Sequence, residues 1–282
     1  MSKKKQLIIP IFIPFGGCEH KCVFCNQEKI TGKVKLPNTK EVEDTIEKYL
    51  TSWEKGKGRD TKKREGRREI AFYGGSFTGL DKDLQREYLA VAYEFIKKAR
   101  VDALRISTRP DLIDKELLSF LKSFKVETIE LGVQSFSDEV LRLSGRGHTS
   151  GDILRAVSLI KEAGLVLGIQ LMPGLPGDGE DIFLKSVRST VEVAPDFVRL
   201  YPTIVIKDTP LEALYLRGEY TPWSLERMVD VCREALEVFS KAQIRVIRVG
   251  LHVTEDLLSN FVAGPLHPSF RDLLTREASL TE

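Results

Sequence analysis

The chain has 282 residues, enough for one large domain or two small ones and for a substantial buried core. Its formal net charge of +2 excludes no class of partner, because local patches bind nucleic acid even on a nearly neutral chain. No apolar run approaches a membrane span, and Met1-Ser2-Lys3-Lys4-Lys5 leads into a strand pattern rather than a signal-peptide core, so the reading is a cytoplasmic protein with reduced thiols and no membrane contact.

Leu7 to Ile13 reads as a first strand, interrupted by Pro10 and stopped by Pro14. It delivers the chain to Gly16-Gly17-Cys18-Glu19-His20-Lys21-Cys22-Val23-Phe24-Cys25-Asn26, which holds three of the four cysteines. A structural zinc site wants four ligands, and an iron–sulfur cluster is usually held by four thiolates. Three close thiolates therefore suggest a cluster with one iron left open, the free position that a reactive metal site needs. The competing reading is a zinc knuckle completed by His20, which lacks the spacing of zinc ligand pairs. A loop that follows a strand puts the metal at the strand's C-terminal end, the face where α/β barrels build active sites.

From Asn38 or Thr39 to about Trp53 the spacing of Val42, Ile46 and Leu50 predicts a helix. Residues 54–69 hold eight basic and four acidic side chains; a solvated connection and a contact to RNA phosphates both stay open. Ile70 to Tyr73 is a second strand ending in Gly74-Gly75-Ser76-Phe77-Thr78, and Asp81 caps a helix with Leu84, Tyr88, Ala92 and Phe95 on one face. Ala103 to Thr108 is a third strand, running into Arg109-Pro110-Asp111, and Asp114 caps a helix from Lys115 to Phe124. Thr128 to Gln134 is the fourth, and a helix from about Gly151 to Ala163 stops at Gly164. Leu165 to Met172 is nearly continuous apolar sequence, as for a strand covered on both faces; Pro173 to Gly177 and a helix near Glu180 to Val191 follow. Phe197 to Tyr201 is the sixth strand. Thr221 and Pro222 look like the cap and first position of a helix to about Ser240, and Ile244 to Val249 reads as a further strand. Cys232, beside Met228, Ala235, Leu236 and Phe239 on that last helix, reads as a buried structural thiol.

Six clear strand–helix units make this an α/β protein, a partial (β/α)6 TIM-like barrel with parallel strands inside and helices outside. We assign it residues 1–252, with a tail at 253–282 that packs on the barrel or on a partner. The strand ends collect thiolates, glycines, hydroxyls, Gln134, Gln170 and Arg146. A zwitterionic nucleoside needs such a set, with one fixed guanidinium for its carboxylate.

The cysteine spacing resembles the Cys-x3-Cys-x-aromatic-Cys signature of the radical S-adenosylmethionine (SAM) superfamily. Gly74-Gly75-Ser76-Phe77-Thr78, Ser107-Thr108-Arg109-Pro110-Asp111, Glu130-Leu131-Gly132-Val133-Gln134-Ser135, Arg146-Gly147-His148-Thr149, Met172-Pro173-Gly174-Leu175-Pro176-Gly177 and Arg199-Leu200-Tyr201-Pro202-Thr203 resemble the radical SAM domain of the Elongator catalytic-subunit family. The resemblance implies that Cys18, Cys22 and Cys25 ligate a 4Fe-4S cluster and that Phe24 lies beside the adenine. Gly74, Gly75 and Ser76 would meet the amino group of SAM, Arg146 its carboxylate, and Ser107, Gln134 and Gln170 its ribose; Ser76 replaces the family's usual Glu. An external electron donor, a 5′-deoxyadenosyl radical and modification of tRNA at a wobble uridine are also implied.

Family members that modify tRNA carry an acetyltransferase domain after this one, a pattern from which this chain departs by ending at Glu282. A separate acetyl-CoA-binding partner, a different RNA-directed radical reaction, a coproporphyrinogen-oxidase-like reaction on a small molecule, and a non-catalytic RNA-binding scaffold with a structural metal stay open. His148 and His252 are candidates for proton transfer, and Tyr201 and Lys207 for contact with substrate.

Overall fold

A computed structural model describes residues 5–18, 20–32, 35–55 and 66–275. Its framework is a sheet of seven parallel strands curled into a half-barrel. They are β1 (Lys5–Ile13), β2 (Gly66–Gly74), β3 (Ala103–Thr108), β4 (Val126–Gln134), β5 (Val166–Leu171), β6 (Phe197–Leu200) and, past the short β7 (Val205–Ile206), β8 (Arg245–Val249). Each strand pairs with the next in chain order, β6 pairs with β8, and β1 and β8 are the two free edges. Pro10 sits in β1 because an edge strand has one side on which no ladder donor is needed.

Helix α1 (Gln27–Thr31) follows the cysteine loop, and α2 (Thr39–Lys55), α3 (Lys82–Lys97), α4 (Lys115–Ser123), α5 (Asp138–Leu143), α6 (Ser150–Glu162) and α7 (Glu180–Glu192) link successive strands. Beyond them lie α8 (Pro210–Leu216), α9 (Leu225–Lys241), α10 (Glu255–Asn260), the strand β9 (Phe261–Ala263) and α11 (Phe270–Thr275). Asp81 and Asp114 cap α3 and α4 as expected, accepting from the backbone N–H groups of Asp83 and Leu117. The core lies between sheet and helices: Ile9, Ile11 and Ile13 of β1 are buried in one cluster with Val42, Ile46 and Leu50 of α2.

The expected partial barrel is present, with the further strand β8 completing seven. Two local expectations are corrected. First, β5 is not apolar on both faces: Leu167, Ile169 and Leu171 enter the core, while Gln170 between them faces the candidate cavity. Second, α9 begins at Leu225, not at Pro222. Tyr220 donates its hydroxyl to the Gly174 carbonyl at 2.6 Å, and the Trp223 ring lies against the same glycine, so docking on that loop holds residues 220–223 out of the helix. Ser224 is the cap, its side chain accepting from Arg227 N–H at 3.2 Å. Ser224→Ala is expected to cost about 1 kcal/mol, a fall of a few degrees in Tm, whereas Thr221→Ala is expected to leave the melt unchanged.

Residues 56–65, the centre of the charged run that suggested RNA contact, lie outside the described residues. Of the tail, α10 packs on α1, β9 pairs antiparallel with β7, and α11 packs on α9 and β8. Among the described residues no helix is long and apolar enough to cross a membrane.

Candidate active site

The C-terminal ends of the strands surround a cavity of about 490 Å3. Its lining includes Cys18, Cys22, Cys25, Phe24, Gly74, Gly75, Ser76, Ser107, Gln134, Arg146 and Gln170, so every residue that the sequence singled out for cofactor or metal faces one space. The sheet places them there because parallel strands end on the same side and each βα loop opens over that side.

The cysteine loop and the β2 loop interlock through backbone alone. Ser76 N–H donates to the Gly16 carbonyl at 2.8 Å, and Gly75 N–H to the Ile13 carbonyl at 3.0 Å. Gly17 has φ +67°, and a Cβ on it would lie 2.1 Å from the Ser76 carbonyl oxygen; a Cβ on Gly75 would lie 2.1 Å from that of Gly16. Gln27 completes the lock. Its Oε1 accepts from Phe15 N–H and its Nε2 donates to the Gly74 carbonyl, each at 2.6 Å. Further along, Val23 N–H donates to the Ser144 carbonyl at 3.0 Å, and Leu211 N–H to the Val23 carbonyl at 2.8 Å. Sequence reasoning missed Gln27 because no local pattern marks a side chain that ties two loops 47 positions apart.

Arg146 is buried between this loop and β4, donating Nη2 to the Gly132 carbonyl at 2.5 Å and Nη1 to Cys22 Sγ at 3.1 Å. The end of β4 is irregular: its register shifts between Gly132 and Gln134, and Gln134 has φ +68°. Bulges of this kind re-aim side chains beside active sites. Gly132 leaves the space that Gln134 and Arg146 occupy, since a Cβ there would lie 3.1 Å from Gln134 Nε2 and 3.2 Å from Arg146 Nη2.

Three buried polar atoms on these residues, Ser107 Oγ, Gln134 Oε1 and Arg146 Nε, have no hydrogen-bond partner among the described residues. Buried polar groups are normally paired, so the cavity suits a polar ligand that offers both donors and acceptors. The thiols suit a cluster. Burial, then the neighbouring Cys22 and Cys18, push the Cys25 thiol up to about 12, with Arg146 and Gln27 acting in the opposite sense. Three crowded thiolates call for an added positive charge, which bound iron supplies. Among the described residues no three cysteine, histidine or acidic side chains are placed to hold a single metal ion. The His20 ring packs instead against Gly147, where a Cβ would lie 2.5 Å from it.

Other candidates fall elsewhere. The His148 side chain is fully buried, 3.9 Å from Asp111, and does not line the cavity. Burial, then the Arg146 and Arg109 guanidiniums, push its imidazole down from 6.5 to about 4. A depressed histidine adds stability that is complete above pH 6.5 and is lost as the pH falls through 4. Urea melts are therefore expected to show a loss of about 3 kcal/mol across that window, absent in His148→Gln. Tyr201 accepts from Arg199 Nη1 at 3.4 Å, Lys207 donates to the Ser259 carbonyl, and His252 lines a separate cleft with Arg248. Cys232 is wholly buried in the core, which pushes its thiol up to about 12.

Strand ends that bring three thiols to the mouth of a parallel half-barrel define the class, an α/β-barrel enzyme working at its C-terminal face. The chain belongs to the Radical SAM superfamily, which it matches over residues 12–189; residues 195–280 match the Radical_SAM C-terminal domain. A tRNA uridine(34) acetyltransferase of Methanocaldococcus infernus is 35% identical over 147 residues, 51% of this chain and 28% of that protein. An uncharacterized protein of Methanocaldococcus jannaschii is 29% identical over 85% of this chain and 74% of its own length. The structure of the archaeal Methanocaldococcus infernus Elp3 with an N-terminal deletion superposes with a TM-score of 0.71 at 24% identity, covering 95% of this chain and 61% of that one. That likeness concerns the fold. The chain spans 27% to 48% of the length of the acetyltransferases it matches.

Proposed function

We propose that this chain binds a 4Fe-4S cluster through Cys18, Cys22 and Cys25 and SAM beside it, and uses them in the cytoplasm to modify the wobble uridine of a tRNA. The observation that carries the cofactor reading is the convergence of three thiols with unpartnered Ser107 Oγ, Gln134 Oε1 and Arg146 Nε around one cavity. The names of the acetyltransferase relatives support the substrate.

A cluster held by Cys18, Cys22 and Cys25, charged by an external reductant, would supply one-electron reductive cleavage of SAM and with it hydrogen-atom abstraction from substrate. The chain's own residues bind and orient. Arg146 offers its Nε, which has no hydrogen-bond partner among the described residues, to the carboxylate. Gly74, Gly75 and Ser76 present backbone to the amino group, and the Gln27 latch holds the Gly74 carbonyl in place. Phe24 supplies a ring for the adenine, while Ser107, Gln134 and Gln170 take the ribose. The reductant is external.

The test is anaerobic reconstitution, reduction and incubation with SAM, assaying 5′-deoxyadenosine with and without tRNA. We expect 5′-deoxyadenosine to form, and tRNA bearing an unmodified wobble uridine to stimulate it. Formation that no tRNA alters would sink the substrate assignment and leave the cofactor reading standing; absence of both cluster and cleavage would sink both.

A further inference from the structure

The inward face of the half-barrel carries buried charge. Glu130, on β4, is completely buried. Its Oε1 accepts from Arg105 Nη1 at 2.8 Å and from the Tyr73 hydroxyl and Arg199 Nη2 at 3.1 Å each. Its Oε2 has Arg199 Nε at 2.7 Å, close but not aligned as a hydrogen bond, and accepts from Gln170 Nε2 at 3.3 Å. Burial by itself would raise the Glu130 carboxyl, but the Arg199 and Arg105 guanidiniums outweigh it and hold the group below the usual carboxylate range. It is therefore ionised at neutral pH, and an ionised carboxylate only accepts.

That restriction reaches the cavity through one side chain. A primary amide is nearly symmetric in shape, so its sense is decided by what its nitrogen and oxygen meet. With Glu130 accepting on one side, the NH2 of Gln170 turns toward the carboxylate and its carbonyl oxygen turns away. Gln170 lines the cavity, and among the described residues nothing donates to its Oε1. In the sheet Gln170 stands opposite Gly132, whose carbonyl holds Arg146. Gln170 and Arg146 thus line the same cavity from adjacent strands and their loops.

We propose that Glu130 is a positioning residue: it locks the Gln170 amide with its oxygen toward the cavity, as the acceptor for a ribose hydroxyl of SAM. The assignment rests on the reading of the cavity as the SAM site. Glu130→Gln removes the restriction, because an amide at 130 meets either end of the Gln170 amide equally well.

The test is a double-mutant cycle read as the dissociation constant of SAM on anaerobically reconstituted protein, with the melting temperature of each variant alongside. Gln170→Met, which keeps the volume and removes the acceptor, is expected to weaken binding about five- to tenfold. Glu130→Gln is expected to weaken it severalfold in the wild-type background and less than about twofold in the Gln170→Met background. Glu130→Asp keeps the charge that Arg105 and Arg199 face and withdraws the oxygens from Gln170; it carries the same expectation if the glutamine variant does not fold. A role confined to stability would lower the melting temperature and leave the affinity unchanged, or weaken binding equally in both backgrounds, and either result overturns the inference. Wild-type protein with a cluster but no affinity for SAM would overturn the reading of the cavity itself, and this inference with it.

Discussion

Cys22→Ala is expected to abolish iron incorporation and 5′-deoxyadenosine formation together. Cys22 is the one of the three cysteines that is buried as a residue, and a buried guanidinium donates to its sulfur. Arg146 Nη1 lies 3.1 Å from it, and its carbonyl accepts from Cys25 N–H at 3.1 Å, so it anchors both the charge and the turn of the loop. Alanine leaves two thiols, which offer too few ligands for a cluster of this type, and leaves a buried guanidinium facing a methyl group. Iron and sulfide content after anaerobic reconstitution, with the visible absorbance of the cluster, checks the first loss; chromatography of the SAM reaction checks the second. Cys232→Ala is the internal control. Its thiol is wholly buried in the core, so the substitution is expected to lower stability without changing iron content. Full cluster loading in Cys22→Ala would show that the thiol serves only the fold.

The second large effect is expected from a glycine with no chemistry of its own. Gly17→Ala places a methyl group 2.1 Å from the Ser76 carbonyl oxygen and 2.4 Å from the Gly79 carbonyl carbon, in a left-handed conformation at φ +67°. The left-handed strain alone costs about 1–2 kcal/mol. The clash is with backbone on both counts, and that backbone is held by Ser76 N–H on the Gly16 carbonyl, so it has no flexible side chain to absorb the movement. A total of about 3–5 kcal/mol is expected, read as a fall in Tm of roughly 10 °C, together with poor reconstitution because the cysteine and β2 loops no longer meet. A thermal melt of the metal-free protein separates the two consequences. A variant that melts with the wild type would refute the interlock.

Much of the candidate site is legible in the amino-acid sequence because its determinants are local. Three cysteines within eight residues, a glycine pair ending a strand, and Gln134 and Gln170 at the ends of strands all lie in short loops or at strand ends, where period and punctuation reveal them. The alternation of strands and helices then implies a parallel sheet, and a parallel sheet brings its strand ends to one face. That step predicts that the residues meet without any knowledge of how.

What only the tertiary structure decided lies between residues far apart in the chain. The boundary of α9 is an example: Thr221-Pro222 is a sound local start signal, and the docking of Tyr220 and Trp223 on the Gly174 loop overrides it. The Gln27 latch is another, as are the backbone contacts that exclude a side chain at Gly17. The ion pairs on the inward face were invisible for the same reason, since an alternating strand pattern shows that Glu130 and Arg105 leave the apolar face but not that they meet Arg199 and Gln170. By itself the sequence determined the types of the candidate site residues, their order and the side of the barrel on which they lie, because each depends on the chain within a few residues. Register and loop packing decided which donor faces which acceptor, because a hydrogen bond depends on tenths of an ångström between segments that only the folded sheet brings together.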